Sequence, residues 1–211
     1  MVADRNDHEL SEHFPAPTFL VLAGGGGARL GGVRKADLRL KGKPLLEHVC
    51  SALPSNAGLI SSGPLASAAT DVPDGWISIA DQSPILRGPL AGMDAAMRWL
   101  AAHQPSTRAI ICCSCDAPFL PPDFTSVMIQ QLAASPAAYA DYKGTSYPTH
   151  AAWRVEVLKH ALAQAVPGQG PRHLLAEVNA FSVSHWDHLP RNPFRNINTL
   201  ADLLAAQRDC G

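Results

Sequence analysis

Apolar and polar positions follow two rhythms along this chain. Short runs rich in apolar residues stand at residues 19–23 (FLVLA), 58–63, 76–80 and 109–115, each closed by glycine or aspartate, and read as buried strands. Between them lie stretches with helical spacing. Residues 44–53 open on a proline suited to a first helical turn, and residues 88–103 carry Leu90, Met93, Met97 and Leu100 on one face. A further helix is expected at 122–132. Residues 137–142 and 147–153 flank Lys143-Gly144-Thr145 as a hairpin-like pair. Helices at 155–166 and 172–178, a strand at 181–186 and a last helix after Thr199, its candidate cap, complete the pattern. Alternating strands and helices predict an α/β, Rossmann-like, three-layer αβα sandwich with a mostly parallel sheet and right-handed crossovers. Ligands gather beyond the carboxyl ends of such strands, where Gly24, Asp81 and Asp116 fall.

Composition narrows this picture. The chain has 211 residues, of which 46% are apolar and 17% charged, enough for one folded domain with a full core. A net charge of −1 gives no global pull toward nucleic acid or a membrane, and no apolar run approaches the ~20 residues that span a bilayer. Residues 1–17 are polar and acidic, without the apolar centre of a signal peptide, and are expected to be a disordered lead. The domain is then residues 18–211 and the compartment the cytoplasm. Five cysteines form no spaced framework. Cys112 and Cys115 make a C-x-x-C with no second ligand pair, so buried core thiols are favoured over a zinc or redox site.

The candidate chemistry lies just after the first strand. Gly24 to Gly27 expose bare amides able to close on an anion. Arg29, Arg34, Lys35, Arg39, Lys41 and Lys43 follow, opposed only by Asp37. Glycine backbone beside concentrated cations suits a polyphosphate, although a glycine-rich loop with a solvated basic face would look the same. No register gives Gly-x4-Gly-Lys-Ser/Thr or Gly-x-Gly-x-x-Gly before a helix. That argues against P-loop NTPases and dinucleotide enzymes, and leaves a loop that binds a nucleotide while its α-phosphate reacts.

LAGGGGARLGGVRK, followed by DLRLKGKPLLEHV, resembles the nucleotidyltransferase signature, in particular that of the molybdenum cofactor guanylyltransferase (MobA-type) family. Asp81 ahead of GPLAGM, the strand ending CDAPFLP, and FRNINT at 194–199 match in the same order. The chain departs from the pattern at Leu30, at Gly26-Gly27, at Thr199-Leu200, and at Ser62 or Gly63, where the family often carries a guanine-reading Asn.

The resemblance implies a nucleotidyltransferase fold and transfer of GMP from GTP to the phosphate of molybdopterin, with pyrophosphate released. Arg29 and Lys35 would neutralise phosphate charge, and Asp116 would hold Mg²⁺, or Mn²⁺ in its place. Leu22, Ala23, Gly24, Gly25, Lys35, Gly63, Asp81, Gly88 and Asp116 would bind the nucleotide, Asp81 on the guanosine side. Arg172, Asn196 and Asn198 would meet molybdopterin, the two Asn presenting their amides in the same direction. By themselves, Asp81 and Asp116 also have a reading as turn acids, which is the weaker one, and the two Asn read equally as turn formers. Molybdoenzyme apoproteins or their chaperones would be the protein partners. Two alternatives stay open: a CTP-dependent cytidylyltransferase for the same cofactor, and a non-catalytic partner that binds nucleotide or cofactor.

Overall fold

In a computed structural model, which describes residues 16–24, 33–55, 57–64 and 72–209, the two sequence rhythms become a sheet and its covering helices. The strands are β1 (Thr18–Leu22), β2 (Arg39–Leu40), β3 (Lys43–Pro44), β4 (Gly58–Ser61), β5 (Trp76–Ile79), β6 (Ala109–Ser114), β7 (Ala137–Tyr142), β8 (Thr145–Arg154) and β9 (Phe181–Val183). The helices are α1 (Leu45–Ala52), α2 (Pro89–His103), α3 (Phe124–Gln131), α4 (Val155–Gln164), α5 (Pro171–Glu177) and α6 (Leu200–Asp209). Seven strands form one sheet in the order β5-β4-β1-β6-β8-β7-β9. Only β8 runs against the rest, pairing antiparallel with β6 and β7, so the sheet is mostly parallel as the alternation predicts.

Burial on both faces explains the apolar runs. Phe19 and Val21 face one core with α1 and α3, while Leu20 and Leu22 face another with α2, α4 and α5. Each fully buried Leu or Ile contributes about 1.5–3 kcal/mol, so a shift of β1 by one residue would be costly. The two faces also settle the C-x-x-C. Cys112 lies in the α2 core and Cys113 and Cys115 in the opposite one, all three free and buried, with burial pushing Cys112 and Cys115 up to about 12. These are core thiols.

Three local readings change. The helix expected at 155–166 stops at Gln164, and Ala165 turns extended (ψ 137°) two residues ahead of Pro167. The strand expected at 181–186 ends at Val183, and His185–His188 coil into a 3-10 turn. That turn sends Trp186 into the core, where its Nε1 donates to Asp123 Oδ1 at 2.9 Å. The basic stretch after the glycines is more than loop, since β2 and β3 form a two-residue-per-strand ribbon turned by Lys41 (φ 51°) and Gly42 (φ 84°).

α6 straps across that ribbon. Leu40 and Leu45 meet Ile197 and Ala206 in a small separate core, and Gln207 accepts from the Lys41 amide and donates to the Arg39 carbonyl. Thr199 caps α6 reciprocally: its Oγ1 accepts from the Asp202 amide, and Asp202 Oδ2 accepts from the Thr199 amide at 2.8 Å. The segment carrying Asn196 and Asn198 is thus held beside the start of the chain.

Candidate active site

The carboxyl edge of the sheet carries a row of polar groups set by register. Leu22 of β1 pairs with Ser61 of β4 on one side and Ser114 of β6 on the other, and Ser61 in turn pairs with Ile79 of β5. Asp81 stands just past β5 and Asp116 just past β6. The two carboxylates therefore end strands three spacings apart, about 14 Å. A cavity of about 460 Å³ lies along this edge, and Leu22, Gly24, Ser61, Asp81, Gly88 and Ser114 are among its walls.

Asp116 sits among polar partners on every side. Ser114 Oγ donates to its Oδ1 at 2.6 Å and Lys35 Nζ to its Oδ2 at 2.7 Å. Its carbonyl accepts from the Ile197 amide at 2.7 Å, which ties the 194–199 segment to the end of β6. Lys35 also donates to Asn198 Oδ1, so one ammonium bridges the strand-end acid and the C-terminal segment. Asn198 is held from behind, its amide donating to Asp202 Oδ2 at 3.0 Å. With 8% of its side chain exposed, Asp116 would bury an unpaired charge without these partners.

Asp81 has a different setting. Its amide donates to the Gly63 carbonyl and its Oδ1 accepts from Ser61 Oγ at 2.7 Å. Burial pushes its carboxyl above the ordinary aspartate range, and the Ser61 hydrogen bond only partly offsets this. Gly24 and Gly63 meet backbone to backbone beside it. A Cβ on Gly24 would stand 3.1 Å from Gly63 Cα, and Gly63 holds φ +87°, so side chains are excluded at both. Below them α2 packs hard on the sheet, because a Cβ on Gly92 would lie 2.4 Å from Ser61 Oγ. The helix thereby fixes the hydroxyl that holds Asp81.

The expected site residues divide accordingly. Lys35, Asp116 and Asn198 converge, and Leu22, Gly24, Asp81 and Gly88 share the cavity, with Gly63 behind it. Main-chain reading of a base by Leu22 and Ala23 is narrower than expected. The Ala23 amide donates to the Ser61 carbonyl and the Leu22 carbonyl accepts from Cys115, so both groups serve the sheet. Asn196 and Arg172 are exposed, Asn196 beside buried Ile197 and Arg172 in the first turn of α5, and neither touches the Lys35 cluster. Arg29 and Gly25 lie outside the described residues. Ser61, Ser114 and Asp202 escaped the sequence reading. The i, i+2 spacing of Ser114 and Asp116 at the end of the apolar run was the signal for Ser114.

The donor set at Asp116 fits a magnesium-type ion. Such an ion takes one or two carboxylates and completes its shell with water and phosphate oxygens. Asp116 offers one carboxylate at the ligand edge, and among the described residues no group of three or more His, Cys, Asp or Glu forms an all-protein cage. None of the helices built from described residues is long and apolar enough to cross a membrane.

Residues 19–183 match the family model for the MobA-like NTP transferase domain. A molybdenum cofactor guanylyltransferase of Acidiphilium cryptum is 36% identical, over 89% of this chain and 92% of its own length. One from Rhodopseudomonas palustris (strain HaA2) is 34% identical, over 92% of each. Among solved structures, a molybdopterin-guanine dinucleotide biosynthesis protein A from Archaeoglobus fulgidus superposes with a TM-score of 0.70 at 22% identity, covering 92% of this chain and 98% of the other.

Proposed function

Because the chain belongs to the MobA-like NTP transferase family, we propose that it transfers GMP from GTP to the phosphate of molybdopterin, giving the guanine dinucleotide form of the molybdenum cofactor. A phosphate oxygen of molybdopterin attacks the α-phosphorus of GTP, and the bond from that phosphorus to the bridging oxygen breaks as pyrophosphate leaves. The attacking oxygen is already anionic, so no general base is required. What the protein must supply is alignment and charge neutralisation. The observation that carries this reading is the Lys35 ammonium bridging Asp116 and Asn198, with Asp116 joined through the Ser114 hydroxyl to the wall of a cavity that Asp81 also lines.

In this scheme Asp81 and the Gly24–Gly63 contact take the guanosine end, and Asp116 holds Mg²⁺, with Mn²⁺ as a substitute. A divalent ion there, when bound, supplies neutralisation of phosphate charge. Lys35 and Arg29 add positive charge around the α-phosphate and the leaving group. Asn198, held by Asp202, fixes Lys35 against the segment that meets the acceptor, and Arg172 and Asn196 are assigned to molybdopterin on its exposed side. Buried free thiols and the lack of a membrane-crossing helix among the described residues agree with a cytoplasmic reaction that hands its product to molybdoenzyme apoproteins or their chaperones.

The test is incubation with Mg²⁺, molybdopterin and either GTP or CTP. Guanine dinucleotide and an equal amount of pyrophosphate are expected from GTP. Product from CTP alone would reassign the enzyme as a cytidylyltransferase, and nucleotide binding without product from either would reduce it to a carrier.

A further inference from the structure

Residues 195–198 belong to no helix or strand, yet they carry Asn198 to the Lys35 ammonium. Their backbone meets the end of β6 through one bond, from the Ile197 amide to the Asp116 carbonyl. Ile197 also packs with Leu40, Leu45 and Ala206, but apolar contact has no direction and does not set where Asn198 points. Arg195 supplies a directed hold. Its guanidinium lies over the Phe119 ring, 4.3 Å from the centroid, and donates to Asp209 Oδ2 in the last turn of α6. Phe119 stands three residues after Asp116, and Arg195 three before Asn198. α6 is about 15 Å long, so the chain leaving Asn198 folds back along the segment that leads to it. Arg191 reaches the same acid, its Nη1 lying 3.2 Å from Asp209 Oδ1.

Two cations thus bridge the same two bodies. Lys35 joins Asp116 to Asn198, and Arg195 joins the loop after Asp116 to the helix after Asn198. Lys35 comes from a third part of the chain and is fixed only as well as its two acceptors are. A flat guanidinium suits the second bridge, because it stacks and donates at once, where an ammonium acts as a point charge. With 30% of its side chain exposed, against 62% for Arg191, Arg195 is the better sheltered cation on Asp209 and the less screened. It lies outside the cavity walls, so any effect it has on the reaction passes through other residues.

We propose that Arg195 is a positioning residue for the transfer: gripped between Phe119 and Asp209, it docks the 194–199 segment so that Asn198 holds Lys35 against Asp116. The inference rests on the guanylyltransferase reading, and the experiment separates the two. The kcat and KM for molybdopterin and the dissociation constant for GTP are measured with Mg²⁺ for the wild type, Arg195→Ala, Arg195→Lys and Asp209→Asn, with melting curves to confirm folding. Arg195→Ala should lower kcat about tenfold and move GTP affinity by less than about twofold, since Asp81 is held by other residues. Arg195→Lys keeps the charge without the flat stack, and should recover part of the loss, to about threefold below the wild type. Asp209→Asn should also cost about threefold. The deciding measurement places Arg195→Ala on Asn198→Ala, where no side chain is left to position and the added cost in kcat should be less than about twofold. If Arg195→Ala does not fold, Arg195→Lys on Asn198→Ala makes the same comparison. An unchanged kcat in the Arg195 variants, an equal loss of GTP affinity, or the full cost repeated on Asn198→Ala would overturn the positioning role and leave the transfer reading standing. No product from the wild type with either GTP or CTP would remove both.

Discussion

Two aspartates end neighbouring regions of one sheet edge, and the protein treats them oppositely. Asp116 is met by an ammonium, a hydroxyl and, through its carbonyl, a backbone amide drawn from the other end of the chain. Asp81 is met by one hydroxyl and one backbone carbonyl, and burial raises its pKa. A carboxylate paired with an ammonium belongs where charge must be gathered, as around a triphosphate and its ion. A carboxylate kept partly dry belongs where hydrogen-bond donors must be told apart, as along a base edge, because an unmatched group is costly there. On the proposed reading, one edge thus carries an electrostatic end at Asp116 and a recognition end at Asp81.

The comparison breaks most sharply at Asp116. Asp116→Asn keeps the shape, loses the charge, and should lower pyrophosphate release at least a thousandfold. Lys35→Ala removes the bridge to Asn198 as well as the ammonium, and should cost about a hundredfold in kcat. The matching change at the other end, Asp81→Asn, should act mainly on GTP affinity, by about tenfold. Similar kcat losses at the two ends would show that the division of labour is wrong.

Some of this arrangement could be read from the residues alone, and the reason is local. Both aspartates directly follow apolar runs, so their place at strand ends needs only the alternation of elements. The hairpin of β7 and β8 is announced by Lys143-Gly144, both at positive φ (50° and 80°). The convergence of Lys35 with Asn198 is another matter, since 163 positions separate them and no local pattern encodes the meeting. It depends on α6 docking on the β2–β3 ribbon, an element too short to show periodicity. Trp186 was lost for a related reason. Its neighbours read as strand, but burial of the indole against Phe124 and Phe194, with its N–H on Asp123, draws the backbone into a 3-10 turn instead.

Acid stability sharpens the electrostatic end. His150 lies fully buried behind it, and burial lowers its pKa to about 4 from 6.5, with the Asp116 charge pulling the other way. The unfolded chain therefore binds a proton that the folded chain refuses between about pH 6.5 and 4, and stability falls as pH drops through that window. The loss reaches about 3 kcal/mol. His150→Leu should flatten that part of the profile, as followed by urea unfolding at pH 7 and pH 4. An unchanged slope would mean that the imidazole takes up its proton without opening the fold.

The smallest effect is expected at the recognition end, and its sign is the informative part. Asp81 has a raised folded pKa, so its favourable contribution is complete only below its unfolded pKa and disappears as pH rises through the folded value. At pH 7 the protein therefore carries a partly buried charge that it would be more stable without. Asp81→Asn keeps a side-chain oxygen for Ser61 and removes that charge. The variant should melt about 1–3 °C higher than the wild type at pH 7, and the gap should close toward pH 3 as the wild-type carboxyl takes up its proton. Scanning calorimetry at the two pH values, alongside GTP titration, tests whether stability rises where binding falls. A variant that melts lower at pH 7 would mean that the carboxylate is a structural anchor, and the contrast between the two acids would have to be drawn on partners alone.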